Sequence, residues 1–285
     1  MIKSISYWAF ENGMAGTHSI EDALAEAKEA GFEGLELAIG TEGVLHTAMT
    51  ENECREIRKK IDESGLIVQT TATGISWGLS PTSNDPETRR ESIELHKAAL
   101  QITAWLGCEA MLMVPGVVKS PISTDIIPYD MAVERCCEAV KELLIIAEKV
   151  NVDICLENVW NGLFYSPIEF ANFIDSFASD RCGIYLDVGN LLGYQQHPPH
   201  WITYLGSRIK RVHIKDFTDN FNWTGAYSFC DIGAGQVPWQ ETIQALKKIG
   251  YNKTIVAEMM PWDQSLIART SVAVDKILSD EPDQE

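Results

Sequence analysis

The sequence predicts a (β/α)8 barrel, and three observations carry that expectation. Short β-type runs alternate with amphipathic helical stretches from one end of the chain to the other. Eight such pairs fit within 285 residues, the size of one α/β barrel. The marks of the rival doubly wound sheet are absent: no GxGxxG follows the first strand and no P-loop occurs. No Gly/Ser-rich or Pro-rich linker divides the chain, so one barrel domain is expected over 1–278. The acidic, Pro-containing "SDEPDQE" (279–285) has the composition of a frayed tail.

The elements follow in order. "SISYWAF" (4–10) is the first strand-like run, and "SIEDALAEAKEAG" (19–31) places Ile20, Leu24 and Ala27 at helical spacing before a stop glycine. "GLELAI" (34–39) precedes a helix from Glu51 through Ser64, ended by Gly65. "LIVQTTAT" (66–73) precedes a helix over 91–107, and "AMLMVP" (110–115) precedes one over 130–149. The fifth to eighth strands are "VDICLEN" (152–158), "CGIYLDVGN" (182–190), "IKRVHIKDF" (209–217) and "KTIVAEM" (253–259), with a last helix over roughly 263–279.

Composition narrows the function. Apolar residues make up 45% and charged residues 22%, a globular balance. The net charge of −18, from 41 acidic against 23 basic residues, disfavours nucleic acid, whose phosphates need clustered Lys and Arg. The densest apolar run, "LLIIA" (143–147), is far short of the ~20 residues of a membrane helix. "MIKSISYWAF" lacks the apolar core of a signal peptide, and seven cysteines without CxxC spacing fit neither a disulfide framework nor a zinc knuckle. A cytoplasmic protein is expected, with no membrane or nucleic-acid partner.

Chemistry in such barrels sits at the C-terminal ends of the strands. There the fifth strand ends in Glu157, the sixth in Asp187 and the eighth in Glu258, while the seventh carries His213. Each acid follows an apolar residue, with another three positions before: Ile154 and Leu156, Ile184 and Leu186, Ile255 and Ala257; His213 lies between Val212 and Ile214. Alternation turns that apolar set outward to the helices and the polar set into the lumen. Three converging carboxylates repel and desolvate one another, and a divalent cation removes that cost. An oxygen-rich set with one imidazole suits Mn²⁺, Co²⁺ or Mg²⁺, with Zn²⁺ compatible. The alternative is four unrelated strand-end residues in ion pairs or helix caps; their common phase on successive strands favours one centre.

The segments "CLENVW" (155–160), "LDVGN" (186–190), "VHIKDF" (212–217) and "GAGQVPWQETIQALKKIGYNKTIVAEM" (233–259) resemble the sugar isomerase/epimerase superfamily of xylose isomerase-like TIM barrels. Within it the chain is similar to D-tagatose/D-psicose 3-epimerases and L-ribulose/L-xylulose 5-phosphate 3-epimerases. The resemblance implies one divalent metal ion held by Glu157, Asp187, His213 and Glu258, with Glu157 and Glu258 as the acid/base pair. One glutamate then removes the proton beside the carbonyl of a ketose and the other reprotonates a cis-enediolate from the opposite face. The implied partner is a sugar or sugar phosphate, and a homo-oligomer is compatible. Inosose- or dehydroshikimate-type dehydratases are the alternative on the same barrel and metal site. An apurinic-site endonuclease needs a histidine-rich, multi-zinc site, and only one histidine is in phase here.

The chain also departs from the pattern. Asn190 stands where tagatose-type enzymes place a histidine, and there the chain is more similar to the phosphopentulose epimerases. Leu163 stands where tagatose-type enzymes carry an acid, and "WTGAYSFCDIGAGQ" (223–236) lacks their arginine. These departures bear on substrate grip and on a free-sugar substrate and leave the metal set intact. Glu36 is either the site-ordering acid of the superfamily or a surface acid. Lys215 is placed to reach substrate or phosphate, or to pair with a neighbouring acid. Tyr7 and Trp8 read as a wall for sugar carbons or as barrel packing, and Asn158 and Trp160 as pocket-shaping residues. The backbone of "DIGAG" (231–235) offers N–H groups for a phosphate, or simply a turn. His96 reads as a helix-face residue, and "HPPH" (197–200) as the loop entering a helix.

Overall fold

The structure, a computed structural model, describes residues 1–220 and 226–279; of the tail, only Ser279 lies among the described residues. The barrel strands are β1 (Ile2–Ser6), β2 (Gly34–Ala38), β3 (Thr70–Thr73), β4 (Ala110–Met113), β5 (Asp153–Glu157), β6 (Cys182–Asp187) and β7 (Ile209–Ile214). A hairpin of β8 (Asp216–Asn220) and β9 (Ala226–Cys230) follows, and β10 (Thr254–Ala257) completes the barrel. The order β1-β10-β7-β6-β5-β4-β3-β2 closes on itself with every barrel pairing parallel. Around it lie α1 (Ile20–Glu29), α2 (Glu51–Ser64), α3 (Ile75–Gly78), α4 (Pro86–Trp105), α5 (Tyr129–Val150), α6 (Pro167–Asp175), α7 (Asn190–Gly193), α8 (Pro198–Leu205), α9 (Trp239–Lys248) and α10 (Leu266–Leu278).

The predicted alternation holds in the packing. Ile154, Leu156, Ile184, Leu186, Val212, Ile214, Ile255 and Ala257 all join the large core between strands and helices. Ala72, Leu112, Cys155 and Tyr185 form a separate cluster that fills the lumen. Helix starts are set locally: Thr50 and Glu53 form a reciprocal capping box on α2, and Ser19 accepts from Asp22 N–H at 3.2 Å on α1. His197 stands at the N-cap position of α8 without a side-chain cap bond, and the first two helical residues are the prolines of "HPPH".

Some boundaries move, for local reasons. β1 stops at Ser6, whose hydroxyl accepts from Trp8 N–H and turns residues 7–9 into a 3-10 turn. α4 begins at Pro86 rather than 91, because Asp85 caps the N–H groups of Glu87 and Thr88 and proline suits the first helical position. β3 shortens to four residues; Ile67 makes only an isolated bridge to Gly34. The seventh strand ends at Ile214, and the chain leaves the barrel through an antiparallel hairpin pairing Asp216 with Cys230 and Phe217 with Phe229.

His96 is fully buried rather than on an open helix face. Its Nδ1 donates to the Ser92 carbonyl at 2.7 Å, and Nε2 lies 3.2 Å from Ser76 Oγ, tying α4 to α3. Burial pushes its pKa down to about 4, against the opposing bond to Ser92. The unfolded chain binds the proton nearer 6.5, so stability present above that pH is lost as pH falls towards about 4. The loss from this group reaches about 3 kcal/mol. In His96→Gln, urea denaturation is expected to show a flatter decline of stability across this pH range than in the wild type.

Candidate metal centre and substrate cavity

β5, β6, β7 and β10 are neighbours in the barrel, and each sends one side chain to the same place. Glu157 and Asp187 are the last residues of β5 and β6, His213 is next to last on β7, and Glu258 directly follows β10. One potential ligand atom from each lies within 4.8 Å of the others, and all four residues are buried.

Glu36, on β2, fixes the imidazole. His213 Nε2 lies 2.7 Å from Glu36 Oε1, while Glu36 Oε2 accepts from Thr70 Oγ1 at 2.9 Å and from the Tyr185 hydroxyl. A carboxylate partner holds a proton on Nε2, so Nδ1 is the nitrogen that faces the cluster. Nδ1 lies 3.7 Å from Glu157 Oε1 and 3.6 Å from Glu258 Oε2, with no hydrogen-bond partner among the described residues. The surrounding carboxylates favour a positive charge at this position, which a proton supplies in the absence of an ion and a divalent cation would supply in its place.

A second network positions the acids. The Asn158 amide brackets the Asp187 backbone, donating to its carbonyl at 2.8 Å and accepting from its N–H at 2.9 Å. Asp187 Oδ1 accepts from Asn190 N–H at 2.9 Å, while Asn190 Nδ2 donates to the Asn158 carbonyl at 2.9 Å and lies 3.5 Å from Glu157 Oε1. Trp160 Nε1 donates to the Asn190 carbonyl at 2.9 Å. Lys215 Nζ bonds Glu258 Oε2 at 2.5 Å and lies 2.8 Å from Asp187 Oδ2. The glycine of "DVGN" makes room for it: a Cβ on Gly189 would sit 2.6 Å from both Lys215 Cγ and its carbonyl oxygen.

The two glutamates differ electrostatically. Burial pushes Glu157 up to about 7, with the charge of Glu258 adding to the rise against the His213 contact. Glu258 is also buried, but Lys215 and His213 outweigh burial and hold it down at about 2. Three carboxylates and one imidazole nitrogen fit a single divalent ion, with Glu157, Asp187, Nδ1 of His213 and Glu258 as its ligands.

Above the cluster opens a cavity of about 1010 Å³, whose lining includes Glu157, Asn190, Lys215 and Glu258 at its base. Trp8 and Trp160 line it as well. Tyr7 does not: the 3-10 turn buries it and directs its hydroxyl to the His18 carbonyl. Leu163 is likewise buried and away from the cavity. His18, His46, His96, His197 and His200 stand outside the metal-competent cluster. Residues 223–225 of the segment lacking an arginine are outside the described residues.

Sequence reasoning missed Thr70 and Tyr185, which support Glu36, although Tyr185 shares the inward phase of Asp187 two positions on. It also missed the role of Asp216. This buried carboxylate accepts from the N–H groups of Phe217, Gly233, Gly235 and Val237 and from Trp239 Nε1, so it anchors the hairpin and the glycine turn. A Cβ on Gly235 would lie 2.2 Å from Asp216 Oδ1, so only glycine permits the approach. The aromatic residues flanking Gly225 were the available signal for the hairpin.

Comparison with known proteins agrees with this geometry. The family model described as xylose isomerase-like TIM barrel matches residues 24–274. A putative L-ribulose-5-phosphate 3-epimerase of Haemophilus influenzae is 21% identical over 255 residues, covering 88% of this chain and 87% of the relative. A D-psicose 3-epimerase of Enterocloster bolteae is 26% identical over 234 residues, covering 80% and 72%. The crystal structure of D-psicose 3-epimerase with D-tagatose from Clostridium cellulolyticum superposes with a TM-score of 0.77 at 20% identity, covering 98% and 99% of the two chains.

The contact between Glu36 and His213 predicts a measurable effect. Glu36→Gln is expected to weaken Mn²⁺ binding by about 10–100-fold in calorimetric titration, with an unchanged circular dichroism spectrum. Unaltered affinity would remove Glu36 from the support of the metal ligand.

Proposed function

The chain belongs to the xylose isomerase-like TIM-barrel family, and from that premise we infer that it is a divalent-metal-dependent sugar epimerase or isomerase acting on a ketose. The observation that carries this reading is the buried convergence of Glu157, Asp187, His213 and Glu258 at the base of a cavity. Relatives named as ketose 3-epimerases support the reaction class.

A bound divalent ion would polarise the sugar carbonyl and its neighbouring hydroxyl, which acidifies the intervening C–H and offsets the developing charge. The proton transfers fall to the chain. Glu157 and Glu258 both face His213 Nδ1 and both line the cavity, so one removes the proton and the other returns one to the opposite face. Lys215 holds Glu258 ionised and in place. Asn158 and Asn190 hold Asp187 and Glu157, and Trp160 braces Asn190. Glu36 keeps the imidazole in the tautomer that leaves Nδ1 free. Trp8 and Trp160 offer faces for the sugar carbons.

Mn²⁺, Co²⁺ or Mg²⁺ is the preferred ion for this oxygen-rich set. No helix among the described residues is long and apolar enough to cross a membrane. A cytoplasmic enzyme with one barrel domain over 1–278, forming a homo-oligomer, completes the reading.

Glu157→Gln and Glu258→Gln are each expected to lower turnover by a factor on the order of 10²–10⁴ with the fold intact. In D₂O, NMR on a ketose panel is expected to show exchange beside the carbonyl together with a new epimer. Loss of water to an enone would instead identify a dehydratase. Chelation is expected to abolish the exchange, and added Mn²⁺ to restore it.

A further inference from the structure

We propose that the substrate is a neutral sugar ketone extended by a ring-sized substituent, and that the aromatic mouth of the cavity is the subsite for that ring. This rests on the sugar epimerase or isomerase reading, because that chemistry places the carbonyl end at Glu157 and Glu258 and leaves the remote end pointing outward.

Charge disfavours a phosphate. Among the described lining residues Lys215 is the one cation, set against the carboxylates of Glu42, Glu157 and Glu258, and its bonds already go to acids. In barrels of this kind the loops after the seventh and eighth strands, with a helix N-terminus, commonly hold phosphate. In the glycine turn after the seventh strand such backbone donors are taken. The Asp216 carboxylate accepts from Gly233 at 3.0 Å, Gly235 at 3.2 Å, Val237 at 3.1 Å and Trp239 Nε1 at 2.8 Å. The segment 216–230 contains no Lys or Arg. A phosphate brought here would meet fixed negative charge with no free basic partner in the lining.

Size and surface point the same way. A volume of about 1010 Å³ lies at the upper end of the ~300–1,000 Å³ typical of sites for drug-sized ligands. A single monosaccharide on the metal cluster fills a small part of it. The remaining wall carries aromatic faces, with Trp8, Trp77 and Trp160 joined by Phe217 and Phe229 of the hairpin among glycine and aliphatic residues. Phe217 packs with its centroid 5.1 Å from Trp160 and 4.4 Å from Phe229. Met14 and Ile122, which also line the cavity, are 64% and 69% exposed. Flat aromatic faces suit the C–H face of a second sugar or an aryl ring, whereas the hydroxyls of a small free ketose would find few partners on this wall.

The test uses the full-length, Mn²⁺-loaded protein with fructose, fructose 6-phosphate, 6-O-glucosyl-fructose and 6-O-benzyl-fructose. NMR in D₂O reads exchange beside the carbonyl, and tryptophan fluorescence reads binding without turnover. An extended ketose is expected to exceed fructose about tenfold in kcat/KM and in affinity, a difference of about 1.4 kcal/mol. Fructose 6-phosphate should do no better than fructose. Preference for the glucosyl compound would identify a second sugar, and preference for the benzyl compound an aryl ring. Trp77→Ala should bring the extended-to-simple ratio towards one. Equal or better binding of fructose or fructose 6-phosphate overturns the subsite while leaving the epimerase reading standing. Tighter binding of an extended ketose without exchange of any sugar keeps the subsite and overturns the epimerase reading.

Discussion

Glu157, Asp187 and Glu258 share one small buried volume with the imidazole of His213, and the surrounding architecture answers that electrostatic problem. Burying one carboxylate without a partner costs several kcal/mol, and bringing three together adds mutual repulsion. Lys215 meets part of the need by bonding Glu258 and lying against Asp187. It leaves Nδ1 of His213 without a hydrogen-bond partner among the described residues, and Glu157 remains pushed up by burial. A divalent ion among the four completes the balance, and the same charge is what chemistry beside a carbonyl requires.

Support for this centre comes from strands on both sides of it. Glu36 on β2, with Thr70 on β3 and Tyr185 on β6 bonded to it, orients the imidazole from beneath. The Asn158–Asn190–Trp160 chain fixes the acids from the side of the cavity. Asp216, three residues past His213, then turns the chain out of the barrel and anchors the hairpin that supplies Phe217 and Phe229 to the mouth. One short stretch of sequence therefore sets a member of the metal-competent cluster, the charge partner of an acid and part of the cavity wall.

The barrel and its four converging residues were legible because both follow from local periodicity. Alternation in a strand fixes which side chains enter the lumen, so the sequence alone puts Glu157, Asp187, His213 and Glu258 in one phase. Features that depend on distant contacts were less accessible. Glu36 read equally as a surface acid, because its partners lie on β3, β6 and β7. Tyr7 read as a cavity wall or as barrel packing, and packing holds because the Ser6 cap bends the chain, buries the ring and sends its hydroxyl to His18. The glycine turn at 231–235 looked open to phosphate because nothing local shows that Asp216 reaches across to fill it.

The central claim is that these four side chains hold one divalent ion through the Nδ1 atom of His213. Anomalous diffraction from crystals soaked in Mn²⁺ tests it most directly. The account predicts one strong peak about 2.0–2.3 Å from Nδ1 of His213 and from an oxygen each of Glu157, Asp187 and Glu258. A peak bound elsewhere, or several ions drawing on other histidines, would contradict it.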